Sequence, residues 1–90
     1  MVCEKVKVNN PSGLHLRPAG LLCKKAMNYK SFITFEYTGN GGGTANAKSV
    51  LSVLGACVKC GDEITVFCEG PDEEEALRNM IEVIKSGLGE

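Results

Sequence analysis

Three runs of this chain alternate apolar and polar residues with a period of two, and that rhythm restricts the fold more than any other feature. Val2, Val6 and Val8 are interleaved with Lys5 and Lys7, and Ile33, Phe35 and Tyr37 lie opposite Phe32, Thr34 and Glu36. Ile64, Val66 and Cys68 repeat the pattern between Asp62 and Glu69. Successive strand residues point to opposite faces, so each run offers one face to a core and the other to water. Strands of one-sided polarity fit an antiparallel sheet covered on one face, not a parallel sheet buried on both.

The segments between these runs supply the helices. Asn9-Asn10-Pro11-Ser12-Gly13 is a dense turn signal. After it, Ala19, Leu22 and Ala26 recur at helical spacing and Leu21 widens the stripe, which predicts a helix from about Leu16 to Asn28 or Tyr29. Gly39-Asn40-Gly41-Gly42-Gly43 is a flexible turn, with a short strand expected near Thr44–Asn46. Ser49 to Leu54 forms a short helix with Ser49 as its N-cap. Pro71-Asp72-Glu73-Glu74-Glu75 opens a last helix, with acidic residues where the dipole favours them, read as a solvated N-terminus. Ala76, Leu77, Met80, Ile81 and Ile84 form its apolar stripe, and Gly87 is its terminator. The order is βαββαβα, an α+β layer pair of a four-stranded antiparallel sheet with helices on one face.

Ninety residues with 43% apolar content suit a single domain over residues 1–90. Ten basic and eleven acidic residues leave a net charge of −1, which gives no footprint for direct nucleic-acid binding. No apolar run approaches membrane-spanning length and no signal-peptide core is visible, so no membrane insertion is expected. Five cysteines is an odd number, and with no secretory segment it points to free thiols in a reducing cytoplasm.

The chemistry concentrates in Gly13-Leu14-His15-Leu16-Arg17-Pro18-Ala19, which holds the only histidine. Gly13 permits a tight loop and Pro18 suits a first helical turn, so His15 falls at a loop-to-helix junction. There the imidazole meets free backbone N–H groups and the positive end of the helix dipole. Arg17 brings a planar fork of donors matched to phosphate oxygens. The dipole contributes roughly 0.3–1 kcal/mol when exposed, whereas a charge-assisted hydrogen bond contributes roughly 1.5–3 kcal/mol, so Arg17 and the amides outweigh it. The set reads as a nucleophilic imidazole with stabilisation for an anion formed on it. A surface histidine beside a helix start is the plainer alternative.

Ser12-Gly13-Leu14-His15-Leu16-Arg17-Pro18-Ala19, Asn46-Ala47-Lys48-Ser49, Gly61-Asp62-Glu63-Ile64-Thr65-Val66, and Gly70 followed by Asp72-Glu73 and Ala76 together resemble the HPr family. These are histidine-containing phosphocarriers of the bacterial phosphoenolpyruvate-dependent sugar phosphotransferase system, and the likeness covers nearly the whole chain. The resemblance implies an open-faced β-sandwich of four antiparallel strands covered on one face by three helices. It implies that His15 accepts a phosphoryl group from enzyme I and passes it to IIA-type sugar permease components, with Arg17 supporting the phosphohistidine. Such a carrier is a monomer and not an independently turning-over enzyme. Ser49 matches the position that HPr kinase/phosphorylase modifies in Gram-positive members, whose modified form serves a catabolite-control transcription regulator. Leu16, Gly20, Val50, Leu51 and Leu54 fall on the family's partner-docking patch. Leu16 stands where a small residue is commoner and Gly20 where alanine is, and the Gly39–Gly43 turn is longer than usual.

Other signals point elsewhere. Gly42 to Ser49 nearly matches a phosphate-binding loop, but Ala47 takes a required glycine position and no parallel α/β core surrounds it. No cofactor or metal is expected. Cys57-Val58-Lys59-Cys60 is a CxxC without a second ligand pair or a thioredoxin-like context. Two alternative functions therefore stand beside the carrier: a regulatory HPr-like paralogue acting by protein binding, and a thiol redox or metal module using Cys57 and Cys60. A Cys3–Cys68 bridge is opposed by strand parity, because Cys68 shares the core face with Val66 while Cys3 is out of phase with Val2 and Val6.

Overall fold

Each alternating run becomes a strand with the expected parity. The computed structural model describes residues 1–39 and 41–90, so Asn40 of the glycine-rich turn lies outside the described residues. The elements are β1 (Val2–Lys7), α1 (Leu16–Ala26), β2 (Phe32–Tyr37), β3 (Gly43–Asn46), α2 (Val50–Gly55), β4 (Glu63–Glu69) and α3 (Glu73–Lys85). The strands form one sheet in the order β1-β4-β2-β3, with β4 antiparallel to both neighbours. β1 and β2 therefore run parallel on either side of β4, a relation that needs a crossover, and α1 is that crossover.

Register fixes the two faces. Val2, Glu4 and Val6 pair with Cys68, Val66 and Ile64, and across β4 these meet Ile33, Phe35 and Tyr37. Phe35, Ile33, Ile64, Leu22, Met80, Ile84, Val8 and Val53 are fully buried between sheet and helices. Each such side chain contributes roughly 1.5–3 kcal/mol relative to exposure. The other face carries Cys3, Phe67 and Thr34 in one cross-strand row, and Lys5, Thr65, Glu36 and Thr44 in the next. No helix covers it, and Phe32 there is 79% exposed. Cys3 thus pairs with Phe67 and points away from buried Cys68, which excludes a bridge between them.

Three local expectations need correction. α1 stops at Ala26, short of Asn28 or Tyr29. The amides of Asn28 and Tyr29 bond back three residues, to Lys25 at 3.1 Å and Ala26 at 3.2 Å, which tightens the chain out of α-helix. Tyr29 is buried there, and its hydroxyl accepts from Asn79 at 2.6 Å. Leu21 is 40% exposed, and Cys23 fills the inner stripe instead. The acidic start of α3 is not merely solvated. Asp72 accepts from the amides of Lys30 at 2.9 Å and Ser31 at 3.0 Å, and from the Ser31 hydroxyl, tying the α1–β2 connection to α3. The Ser31 hydroxyl first, then the Lys30 amide, holds its carboxyl below the ordinary aspartate range. Glu74 and Glu75 remain exposed.

Among the described residues no helix is long and apolar enough to cross a membrane. Gly20 lies in mid-α1 with open space where a Cβ would stand. Gly20→Ala should therefore stabilise the domain by about 0.5–1 kcal/mol. Thermal unfolding checks this, and an unchanged or lowered Tm would contradict it.

Candidate functional site

The loop between β1 and α1 is pinned along its length before it delivers His15. The Val8 amide donates to Asp62 at 2.8 Å, and the Val8 carbonyl accepts from Gly61 at 2.7 Å. The Leu14 amide donates to the Val58 carbonyl at 2.9 Å, while the Leu14 side chain is buried. Gly13 has φ +65°, and a Cβ there would lie 2.5 Å from the Val58 oxygen and 2.7 Å from Lys59 Cα. Only glycine meets both demands, the left-handed backbone and the close approach. With Leu14 anchored inward, the next residue is set on the surface at the head of α1.

His15 is the N-cap of α1, with extended backbone at φ −77° and ψ −177°. Its carbonyl accepts from Ala19 at 2.8 Å, while its side chain makes no capping hydrogen bond. A serine or aspartate at this position would spend its oxygen on the first-turn amides. The imidazole leaves them open. Leu16 and Arg17 occupy the first two helical positions and Pro18 the third, so the unpaired donors are the amides of Leu16 and Arg17. Arg17 is exposed, makes no direct ion pair among the described residues, and borders a cleft of about 350 Å³ with Gly20, Leu21, Lys24, Leu88, Gly89 and Glu90. An exposed nucleophilic ring, two free amides and an unpaired guanidinium can receive a phosphoryl group and balance its charge.

Sequence reasoning missed Glu90. Its carboxylate accepts from the Ser12 hydroxyl at 2.6 Å, the Ser12 amide at 3.1 Å and Asn10 Nδ2 at 3.0 Å. Asn10 is itself buried and also donates to the Gly13 carbonyl at 2.7 Å. The Ser12 hydroxyl first, then Asn10, holds the Glu90 carboxyl below its ordinary range, with attraction to Arg17 adding to this. Glu90 arrives because Gly87, Leu88 and Gly89 all have positive φ, turning the chain back while Leu88 is buried as an anchor. A contact across 78 residues leaves no local pattern to read.

Ser49 caps α2 as expected, its hydroxyl accepting from the Ser52 amide at 3.2 Å. Of the five docking candidates, Leu51 is 82% and Leu16 63% exposed. Gly20, Val50 and Leu54 are half-buried, the latter two packed on the core. α1 and α2 pack on one another, so Leu16 and Leu51 belong to adjoining helices.

Cys57 and Cys60 are both exposed free thiols, and Cys57 has positive φ at 54°. Cys68 is buried, and desolvation first, then the charges of Asp72 and Glu73, pushes its thiol up to about 11. A cleft of about 490 Å³ between β1 and α3 contains none of these residues.

The chain matches the family model described as PTS HPr component phosphorylation site over residues 2–86. It is 40% identical over 83 residues to phosphocarrier protein HPr of Chlamydia muridarum, covering 92% of this chain and 77% of that one. It is 36% identical over 80 residues to the HPr-like protein Crh of Bacillus subtilis, covering 89% and 91% respectively. The solved structure of HPr-C-His from Thermoanaerobacter tengcongensis superposes with a TM-score of 0.92 at 33% identity, covering 100% of this chain and 98% of that one.

Two outcomes check this geometry. Gly13→Ala should cost about 2 kcal/mol or more in urea unfolding, because both the clash and the backbone strain oppose it. A depressed carboxyl stabilises the fold above its unfolded value and loses that contribution as pH falls through the folded one. The Ser12 amide resonance should therefore shift on acidification, with a midpoint below 4.5, the ordinary value for glutamate. In Glu90→Ala this titration should vanish; its persistence would contradict the contact.

Proposed function

This chain belongs to the PTS HPr family, and on that premise we propose that it carries phosphoryl groups on His15. Enzyme I loads the imidazole and IIA-type sugar permease components unload it, in the cytoplasm. The observation that carries the reading is an exposed imidazole at a helix N-cap whose amides it leaves free. In loading, a ring nitrogen attacks phosphorus as the bond to the donor breaks, and the ring proton passes to solvent or donor. The amides of Leu16 and Arg17 and the Arg17 guanidinium face the oxygens. In unloading, the acceptor's nucleophile takes phosphorus and the ring nitrogen regains a proton. Such a site must stabilise the adduct only modestly, because tight binding would stop the relay. A helix end open to water with a single nearby guanidinium meets that need.

Leu16 and Leu51 present the apolar contact that partners require, with Gly20, Val50 and Leu54 shaping the ground beneath. Ser49 is the regulatory position, modified by an HPr kinase/phosphorylase and read by a catabolite-control transcription regulator. A phosphate there adds about −1.5 to −2 charges at the head of α2, next in sequence to Val50 and Leu51. The head of a helix tolerates that charge, while a docking partner must desolvate it.

A second reading is favoured by the similarity to Crh: a paralogue that regulates by binding without feeding sugar uptake. Incubation with enzyme I and phosphoenolpyruvate followed by mass spectrometry separates the two. An acid-labile adduct on His15, lost in His15→Ala, supports the carrier. Its absence in wild type supports the paralogue. Ser49→Asp should slow loading about fivefold, the scale of a like-charge contact near 1 kcal/mol, without lowering Tm. Equal loading rates would remove the regulatory assignment.

A further inference from the structure

We propose that Cys57 and Cys60 are joined reversibly by exchange with a low-molecular-weight disulfide, and that the bridge slows phosphoryl loading by disturbing the loop that holds His15. The effect on loading rests on the carrier reading above. Among the cysteines, Cys23 and Cys68 are buried, and Cys3 lies on the uncovered face of the sheet opposite Phe67. Cys57 and Cys60 are both exposed and share one short connection between α2 and β4. Three peptide steps keep their Cα atoms within about 11 Å in any conformation, and a bridge needs roughly 4.4–6.8 Å, so a local movement is enough to close it. In the exchange, one thiolate attacks a sulfur of the small disulfide and expels a small thiol, leaving a mixed disulfide. The second thiolate then attacks the protein sulfur of that intermediate and expels the other small thiol. Two cysteines are oxidised, one small disulfide is reduced to two thiols, and the cysteine protons pass to the departing sulfurs.

The connection has no slack at its middle. At one end the Cys57 amide donates to the Leu54 carbonyl at 3.1 Å, and Cys57 turns the chain out of α2 in a left-handed conformation. Just beyond Cys60, the Gly61 amide donates to the Val8 carbonyl at 2.7 Å, and the Asp62 carbonyl accepts from the Val8 amide at 2.8 Å. With both ends tied, the torsional adjustment that a bridge demands falls on Val58 and Lys59. Those are the residues against which the histidine loop is packed. The Val58 carbonyl accepts from the Leu14 amide at 2.9 Å, and Lys59 Cα would lie 2.7 Å from a Cβ on Gly13. Movement toward Gly13 meets backbone, and movement away breaks the Leu14 hydrogen bond. Either displacement reaches Leu14, the residue next to His15. A bridge of this kind is transient in a reducing compartment, which suits a signal rather than a structural staple.

The test equilibrates the protein with glutathione disulfide, removes it, and only then adds enzyme I and phosphoenolpyruvate, so that enzyme I meets no oxidant. Peptide mapping should find Cys57 bridged to Cys60. Loading of His15 should be about five- to tenfold slower than in the reduced protein, the scale of a displacement well under 1 Å at a reacting group. Exchange of the Leu14 amide with solvent should rise several-fold, and dithiothreitol should return both quantities to their starting values. The double variant Cys57→Ser with Cys60→Ser should load at the reduced wild-type rate before and after the treatment, whereas Cys3→Ser should respond as wild type does. Mapping that finds no bridge, or only mixed disulfides with glutathione, overturns the proposal. So does a bridged protein that loads at the reduced rate or keeps the reduced exchange at Leu14. Protein that loads in neither state overturns the carrier reading instead, and exchange at Leu14 still decides whether the bridge reaches the loop.

Discussion

The close passage of Gly13 against the backbone of Val58, Lys59 and Cys60 is the constraint on which the site depends. It lets the Leu14 amide reach the Val58 carbonyl and brings the loop after β1 alongside the segment before β4. The sheet's two most distant stretches of sequence are thereby joined at one end, and the head of α1 is located relative to both. A larger residue at position 13 would lift the loop and take His15 with it. His15, Leu16 and Arg17 are held at the surface between two anchors, the buried Leu14 and Pro18.

The fold was largely legible because its strands are half-wet. Ile33, Phe35 and Tyr37 against Phe32, Thr34 and Glu36 specify both the face and the register, since a slip of one residue would invert them. Ser49 was legible for a similar reason: a helix needs its first amides satisfied, and the hydroxyl is local to them. Where the sequence misled, the deciding contact was distant. Tyr29 reads as helix until Asn79, fifty residues on, takes its hydroxyl. Asp72 reads as one more solvated carboxylate until Lys30 and Ser31 present their amides.

The same division holds within the site. His15 and Arg17 are recognisable from residue type and position at a helix head, and the comparisons place the chain in the family that those residues suggested. Asn10 and Glu90 were invisible, one because it sits in a run of turn formers, the other because only folding carries it to Ser12. The segment between Cys57 and Cys60 serves the site in another way, because its Val58 carbonyl receives the Leu14 amide.

The uncovered side of the sheet has an evolutionary corollary. Alternate residues of every strand, among them Lys5, Thr34, Glu36 and Thr65, take no part in the core and none in the chemistry. Substitution at these positions disturbs only cross-strand pairs of about 0.2–1 kcal/mol each, so that surface can diverge more readily than the buried helical side. Two molecules that behave alike in the relay can therefore look unrelated when viewed from behind.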